Sequence, residues 1–296
     1  MTDSPGDSPA AARQRVRREL RHGRRTTGLT QGEVARRLGV SLSKIQRIES
    51  AEVSVSDTDL RALLTLYGVT GGPTVARLIA DAKLSRRERW WTKPEYRTNL
   101  PAGLRQLLQF EMVATRIQAF QPYLIPGVLQ TPEMAQFIIA DWSGNLPEDV
   151  QQVRYDVRIK RREQVIDRAN GPKYMLILDE TVIGRKVGSA ELMAAQLEDL
   201  AEMMTRPNIS IRLVPMDTGA YLAHHGAFTV LDLSDDDTDD AVLYREAYED
   251  DSIVHDPREI NKYRANFQEA WQMSLSEAAT RRRIIAKAAT LRASVD

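Results

Sequence analysis

Along the N-terminal part of the chain, apolar residues recur at helical spacing and glycines interrupt them. Val16 and Leu20 stand four apart between Arg13 and Thr27, in a stretch otherwise rich in arginine. One face of such a helix can turn inward while the arginines stay wet. Gly28 ends this segment. Thr30, followed three residues later by Glu33, has the capping-box pattern that opens a second helix. Val34, Ala35 and Leu38 form its inner face, and Gly39 can take the positive φ of a tight turn. Ser41 is the next N-cap, with Ile45 and Ile48 buried in the helix it opens and Val40 beneath the turn. Asp57 to Tyr67 and Gly72 to Leu84 repeat the helical pattern, with Leu60, Leu63 and Leu64 in one stripe. The expectation is an all-α, five-helix bundle.

Beyond it the pattern becomes mixed. Helices are expected over Leu104 to Ala119, Thr131 to Ala140, Glu148 to Arg168, Ser189 to Met204 and Pro257 to Met273. Strand-like runs separate them: KYMLILD at 173–179, ISIRLVP at 209–215, AFTVLDL at 227–233 and AVLYRE at 241–246. The last three follow one another closely, which favours antiparallel pairing. The expected fold class is therefore multidomain, with the all-α bundle followed by an α+β domain holding a small, largely antiparallel sheet. The divisions read from the sequence are a disordered lead-in over 1–11, the bundle over 12–84, a bridge over 85–103, the α+β domain over 104–279 and a basic C-terminal helix over 280–296. In the bridge, Trp90 and Trp91 are expected to serve interdomain packing. Neighbours on a helix point about 100° apart, so both rarely line one pocket.

Charge alters this picture. The formal net charge is zero, yet Ala11 to Ser50 carries eleven basic residues against three acidic ones. Asp232 to Asp251 carries ten acidic residues and a single base, Arg245. A local basic surface can act on DNA even in a neutral molecule. The chain has no cysteine, so disulfides, thiol catalysis and cysteine-ligated zinc are excluded. No run of apolar residues is long enough to cross a membrane, and the N-terminus lacks the apolar core of a signal peptide. A cytoplasmic protein is expected.

A small residue at position 35, a glycine corner at position 39 and two capped helices together describe helix–turn–helix geometry. The residues TQGEVARRLGVSLSKIQRIES, with LTQGEVARRLGVS opening the motif and Ile48-Glu49 closing its third helix, resemble the lambda-repressor-like (XRE) helix–turn–helix family. That resemblance implies binding to double-stranded DNA and places Ser43 and Arg47 on the groove-facing side, with Leu42 near the tip of the recognition helix. Arg47 suits bidentate bonding to guanine, Ser43 a base edge and Leu42 a thymine methyl. Gln31, at a helix N-terminus, and the long-armed Lys44 suit phosphate contacts, with Arg24 and Arg25 adding backbone attraction. Glu49 is expected to orient its neighbours, since a carboxylate facing phosphates would repel them.

A second resemblance extends from about Leu104 to Ala279. PYLIPGVLQTPEMAQ, RREQVIDR, LDETVIGRKVG, RPNISIRLVP and HHGAFTVLD, in that order, resemble the DUF5753 domain that accompanies helix–turn–helix domains in many actinobacterial regulators. Met216, Tyr221 and the long acidic loop SDDDTDD depart from its usual pattern. The family implies a DNA-binding regulator, commonly discussed as antitoxin-like and sometimes accompanied by a small partner protein.

Possible chemistry in this domain is sparse. Asp179, Glu180 and Arg185 follow a strand, and His224 and His225 precede another, but adjacent strand residues face opposite ways. No HExxH motif, phosphate-cradling loop or EF-hand pattern is present. No catalysis, cofactor or metal is therefore expected. RRRIIAK at 281–287 could serve subunit contact or DNA attraction, and LIPGVLQT could line a groove for a small molecule or partner helix or equally form part of the domain's own core. The sequence thus reads as a sequence-specific transcription regulator. It is expected to be a homodimer and a repressor, since obstructing polymerase is the simpler mechanism. Its C-terminal domain would receive a small-molecule effector or a small partner protein. The alternatives are an antitoxin-like protein that mainly sequesters a partner and, third, a nucleotide- or metal-dependent enzyme.

Overall fold

The computed structural model describes residues 9–50, 53–86, 90–142, 146–168, 171–218, 226–234, 240–247 and 251–294. Tyr221, His224, His225 and most of the acidic run, 235–239, lie outside them. The chain divides into two compact units, Met1–Lys93 and Pro94–Asp296.

The first unit is the expected bundle: α1 (Pro9–Thr26), α2 (Gln31–Leu38), α3 (Leu42–Glu49), α4 (Asp57–Leu66) and α5 (Gly72–Ser85). Local signals set its corners. Thr30 and Glu33 form the reciprocal capping box at the start of α2, and Ser41 caps α3 by accepting from the Lys44 N–H. Gly39 takes a left-handed φ of 65° between the two helices, where a side chain would be strained. Val16, Leu20, Val34, Ile45, Ile48 and Leu60 meet in one core that continues into Leu63, Leu64 and Leu78. Gly23 allows close approach, because a Cβ there would lie 3.0 Å from the Tyr67 ring. Trp90 and Trp91, beyond α5, meet edge to face with ring centres 5.3 Å apart.

The second unit holds α6 (Pro94–Asn99), α7 (Ala102–Glu111), β1 (Arg116–Gln121), α8 (Pro132–Trp142), α9 (Glu148–Arg161), β2 (Lys173–Asp179), α10 (Glu180–Gly184) and α11 (Ala190–Met203). It continues with β3 (Ile209–Val214), β4 (Phe228–Asp232), β5 (Ala241–Arg245), β6 (Ser252–Val254), α12 (Pro257–Met273) and α13 (Glu277–Ala293). A single turn of π-helix, Arg162–Ile166, prolongs α9. The α+β class is as expected, but the sheet has six strands and is mixed, in the order β3-β2-β1-β4-β5-β6. β1 pairs parallel with β2, and β2 parallel with β3. The other three pairings, β1 with β4, β4 with β5 and β5 with β6, are antiparallel.

Two sequence expectations are corrected here. The helix expected to run to Ala119 stops at Glu111, and Arg116–Gln121 is a central strand. The strand 209–215 does not pair with 227–233. It lies beyond β2 at the sheet edge, because α10 and α11 carry the chain across the sheet before β3 begins.

Period-two alternation sends side chains to two cores. Ile117, Leu176, Leu178, Leu213 and Val242 face the larger core, which includes residues of α7, α8, α11 and α13. Phe120, Ile177, Val230 and Leu243 face the other side and meet Ile260, Phe267 and Ala270 of α12. The terminal helix α13 buries Ile284 and Ala288 in the larger core, so its arginines flank a packed stripe.

At the β3 edge, Leu213 is met by the first turn of α13 and by the segment that precedes it. The Leu213 N–H donates to the Thr280 hydroxyl at 3.1 Å, and the Leu275 N–H donates to the Leu213 carbonyl at 2.9 Å. Thr280 is fully buried. Thr280→Val removes that acceptor with little change in shape. It should lower stability by about 1–3 kcal/mol, the cost of an unpaired buried donor, read as an earlier urea midpoint. An unchanged midpoint would mean that the bond carries no net stabilisation.

Candidate nucleic-acid interface

The α3 helix has two distinct faces. Ile45, Ile48 and Glu49 are buried, whereas Leu42, Ser43, Gln46 and Arg47 are exposed. The exposed four fall at i, i+1, i+4 and i+5, which is one continuous stripe along a helix. Leu42 is 46% exposed, whereas the other apolar residues of α3 are buried. The stripe contains a methyl-bearing side chain, a hydroxyl, an amide and a guanidinium. Together they can present apolar contact, donors and acceptors to base edges.

A buried carboxylate fixes the attitude of this helix. Glu49 is 4% exposed at the end of α3, and its two oxygens receive Arg24 Nε at 2.7 Å and Arg24 Nη2 at 2.9 Å. Gln31 Nε2, from the first turn of α2, donates to the same carboxylate at 2.9 Å. Arg17 Nε donates to the Glu49 carbonyl at 2.6 Å. One residue therefore joins α1, α2 and α3. Burial works against the Arg24 charge, but the hydrogen bonds and charge of Glu49 outweigh it and raise the guanidinium above its ordinary value. Burial and the neighbouring Glu49 charge likewise raise the Tyr67 phenol.

The expected phosphate contacts separate into two sets. Arg24 gives Nε and Nη2 to Glu49 and Nη1 to the Leu29 carbonyl at 3.0 Å, so its donors serve the fold. The Gln31 side chain is also tied to Glu49, while its position at the start of α2 is as expected. Arg25 is exposed at the end of α1. Lys44 donates to Asp59 Oδ1 at 2.8 Å, linking α3 to α4, and its side chain remains 42% exposed. Partial burial acts to raise the Asp59 carboxyl, but hydrogen bonds from Lys44 and Ser56 hold it below the usual carboxylate range.

Gln46, which the sequence places on the groove-compatible face of α3 without a particular contact, belongs to the exposed stripe. Its position four residues after Leu42 and three after Ser43 is the signal that places it there. The residues considered for chemistry in the second unit have structural tasks. Asp179 caps α10 by accepting from the Thr181 N–H at 2.8 Å. Glu180 pairs with Arg283 and accepts from the Met216 N–H.

Residues 15–78 match the helix-turn-helix domain family, and the protein is accordingly a DNA-binding regulator. Residues 104–286 match the family described as a domain of unknown function, DUF5753; the match covers more than half of the chain, which belongs to that family. No curated protein and no solved structure matches it. Among the described residues, no helix is long and apolar enough to cross a membrane.

The Glu49 hub has a measurable consequence. Glu49→Gln leaves the Arg24 guanidinium without its carboxylate in a site where it is largely enclosed. Removing one partner of a buried ion pair costs about 3–5 kcal/mol. In a urea titration of the full chain followed by helical circular dichroism, the first transition should shift to lower denaturant. Coincident wild-type and variant curves would show that the hub is dispensable for stability.

Proposed function

We propose that the protein is a sequence-specific transcription regulator of the cytoplasm that enters the major groove of double-stranded DNA with α3. The observation that carries this reading is the exposed stripe of Leu42, Ser43, Gln46 and Arg47 on a helix otherwise held in the core. Arg47 grips a guanine through O6 and N7, Gln46 reads an adjacent adenine, Ser43 meets a base edge and Leu42 packs on a thymine methyl. Lys44 and Arg25 reach the flanking phosphates, and the N–H groups at the start of α2, beginning with Gln31, approach one phosphate directly. Arg24 contributes by holding Glu49 rather than by touching DNA.

One such bundle covers a short half-site, so two copies acting on two-fold DNA give useful specificity. A dimer seated on a promoter obstructs polymerase, which makes the protein a repressor. Its second unit receives the signal that alters DNA occupancy, whether a small molecule or a small partner protein.

The decisive experiment selects binding sites from random duplexes with full-length protein beside Arg47→Ala, at fixed salt. The wild type should enrich a motif with two-fold symmetry. The variant should lose discrimination at one base pair in each half-site, a change of about 1–3 kcal/mol. Salt-dependent binding to every duplex by both proteins would overturn the sequence-reading role. Co-purification of a small protein with no enriched motif would favour the sequestering alternative.

A further inference from the structure

The second unit contains a pocket of about 220 Å³ with an uneven lining. One part is apolar, formed by Leu124, Ile125, Ile138 and Ile139. A void of about 10 Å³, lined only by apolar side chains, adjoins it and shares Leu124, Ile125 and Ile138. Another part carries Arg154 and Arg158, one turn apart on α9, and Glu246 also contributes to the lining. An engineered cavity of about 150 Å³ is large enough to hold benzene, so this space accepts a molecule somewhat larger than one aromatic ring.

These two arginines differ from the next two on the same helical path. Arg161 and Arg162 follow on the same helical path, and each is matched by a carboxylate, Glu111 at 2.7 Å and Asp199 at 2.6 Å. Arg154 and Arg158 form no ion pair among the described residues. Arg158 donates through Nη1 to the Ala135 carbonyl at 3.0 Å, and its Nε lies 3.3 Å from where a Cβ on Gly127 would stand. Burial, reinforced by the charges of Arg161 and Arg154, brings its guanidinium down to about 10, the direction expected of a cation with no counter-charge.

A second, independent observation lies in the same lining. Gln130 is 4% exposed, and its Nε2 donates to the Ile125 carbonyl at 2.8 Å, yet its Oε1 is a buried acceptor with no donor among the described residues. Buried polar atoms are normally satisfied, so this orphan acceptor is a polar cost that the fold carries beside the pocket.

We infer that this pocket is a binding site for a small organic carboxylate with an apolar body. Arg154 and Arg158 take the carboxylate through charge-assisted hydrogen bonds. Leu124, Ile125, Ile138 and Ile139 enclose the apolar body. Burial raises the carboxyl of Glu246 in the same lining, and a dianionic phosphate monoester would place more negative charge beside it than a carboxylate does, which selects the carboxylate. This site gives a chemical class to the small-molecule signal proposed above. It rests only on the second unit, so its binding can be tested with no DNA present.

The test is isothermal titration of the full-length protein with phenylacetate, phenylacetamide and phenyl phosphate, each to about 10 mM, enough to fill a site with a Kd of 1 mM. Phenylacetate should bind, and the neutral amide and the phosphate ester should bind at least about tenfold more weakly, the factor expected for one lost charge-assisted contact. Arg154→Gln should weaken phenylacetate to a similar degree without lowering the melting temperature, since among the described residues no hydrogen bond or ion pair involves that side chain. A second variant, Gly127→Ala, crowds Arg158 and should also weaken binding. Absence of phenylacetate binding, equal binding of the amide, preference for the phosphate ester, or full affinity in Arg154→Gln would each overturn the assignment. Loss of sequence selection in the DNA experiment with phenylacetate binding intact would overturn the regulator reading and leave this site standing.

Discussion

The helix–turn–helix unit depends on the carboxylate of Glu49. Short helices of two turns are unstable alone, so their mutual angle must come from tertiary contacts. Apolar contacts among Val34, Ala35, Ile45 and Ile48 hold α2 and α3 together but are not directional. The bidentate Arg24–Glu49 pair and the Gln31–Glu49 bond add direction, because each demands a particular distance and plane. Their burial makes them costly to half-break. The arrangement also keeps negative charge away from the exposed stripe: the only carboxylate of α3 is turned inward and matched by Arg24.

The second unit is built on a different constraint, the central position of β1. It pairs parallel with β2 on one side and antiparallel with β4 on the other, so a half-sheet with helical crossovers and a meander of hairpins share one strand. Both faces are consequently covered, and even Gln118 and Gln121 of this strand are buried. Such a sheet leaves its edges as the remaining hazard. At β3 that edge is met by Thr280 and the Leu275 main chain, which explains why α13, basic on its outer positions, is part of the domain rather than a detachable arm.

Much of the first unit was legible because its signals are local. Thr30 with Glu33, Ser41 and Gly39 state where helices begin and end, and the stripe of α3 follows from spacing alone. The task of Arg24 was not legible, since its partner Glu49 lies 25 residues away and nothing local joins them. In the second unit, β1 escaped because no glycine or proline separates it from α7, and RIQAFQ continues the preceding residues without a break. Its strand character comes from two neighbours remote in sequence, a tertiary effect that overrides local pattern. The parallel placement of β3 could have been read, because a helix over 189–204 stands between the strands at 173–179 and 209–215. The short interval to the next strand at 227–233 points the other way and conceals that crossover.

The pocket illustrates how burial and charge must be considered together. Many arginines of the second unit are matched, among them Arg206 with Asp167, Arg264 with Asp232, Arg283 with Glu180 and Arg292 with Glu198. Evenly matched charge is the cheap solution, and Arg154 and Arg158 depart from it on adjacent turns of one helix. Their mutual repulsion and the desolvation of Arg158 oppose folding, and a nearby carboxylate would relieve both. Glu246 lines the same pocket but does not pair with either. Local rules broken without compensation inside a protein are expected where function requires them. The missing counter-charge is then supplied from solution, and the free energy withheld from folding becomes available as affinity for the anion that enters.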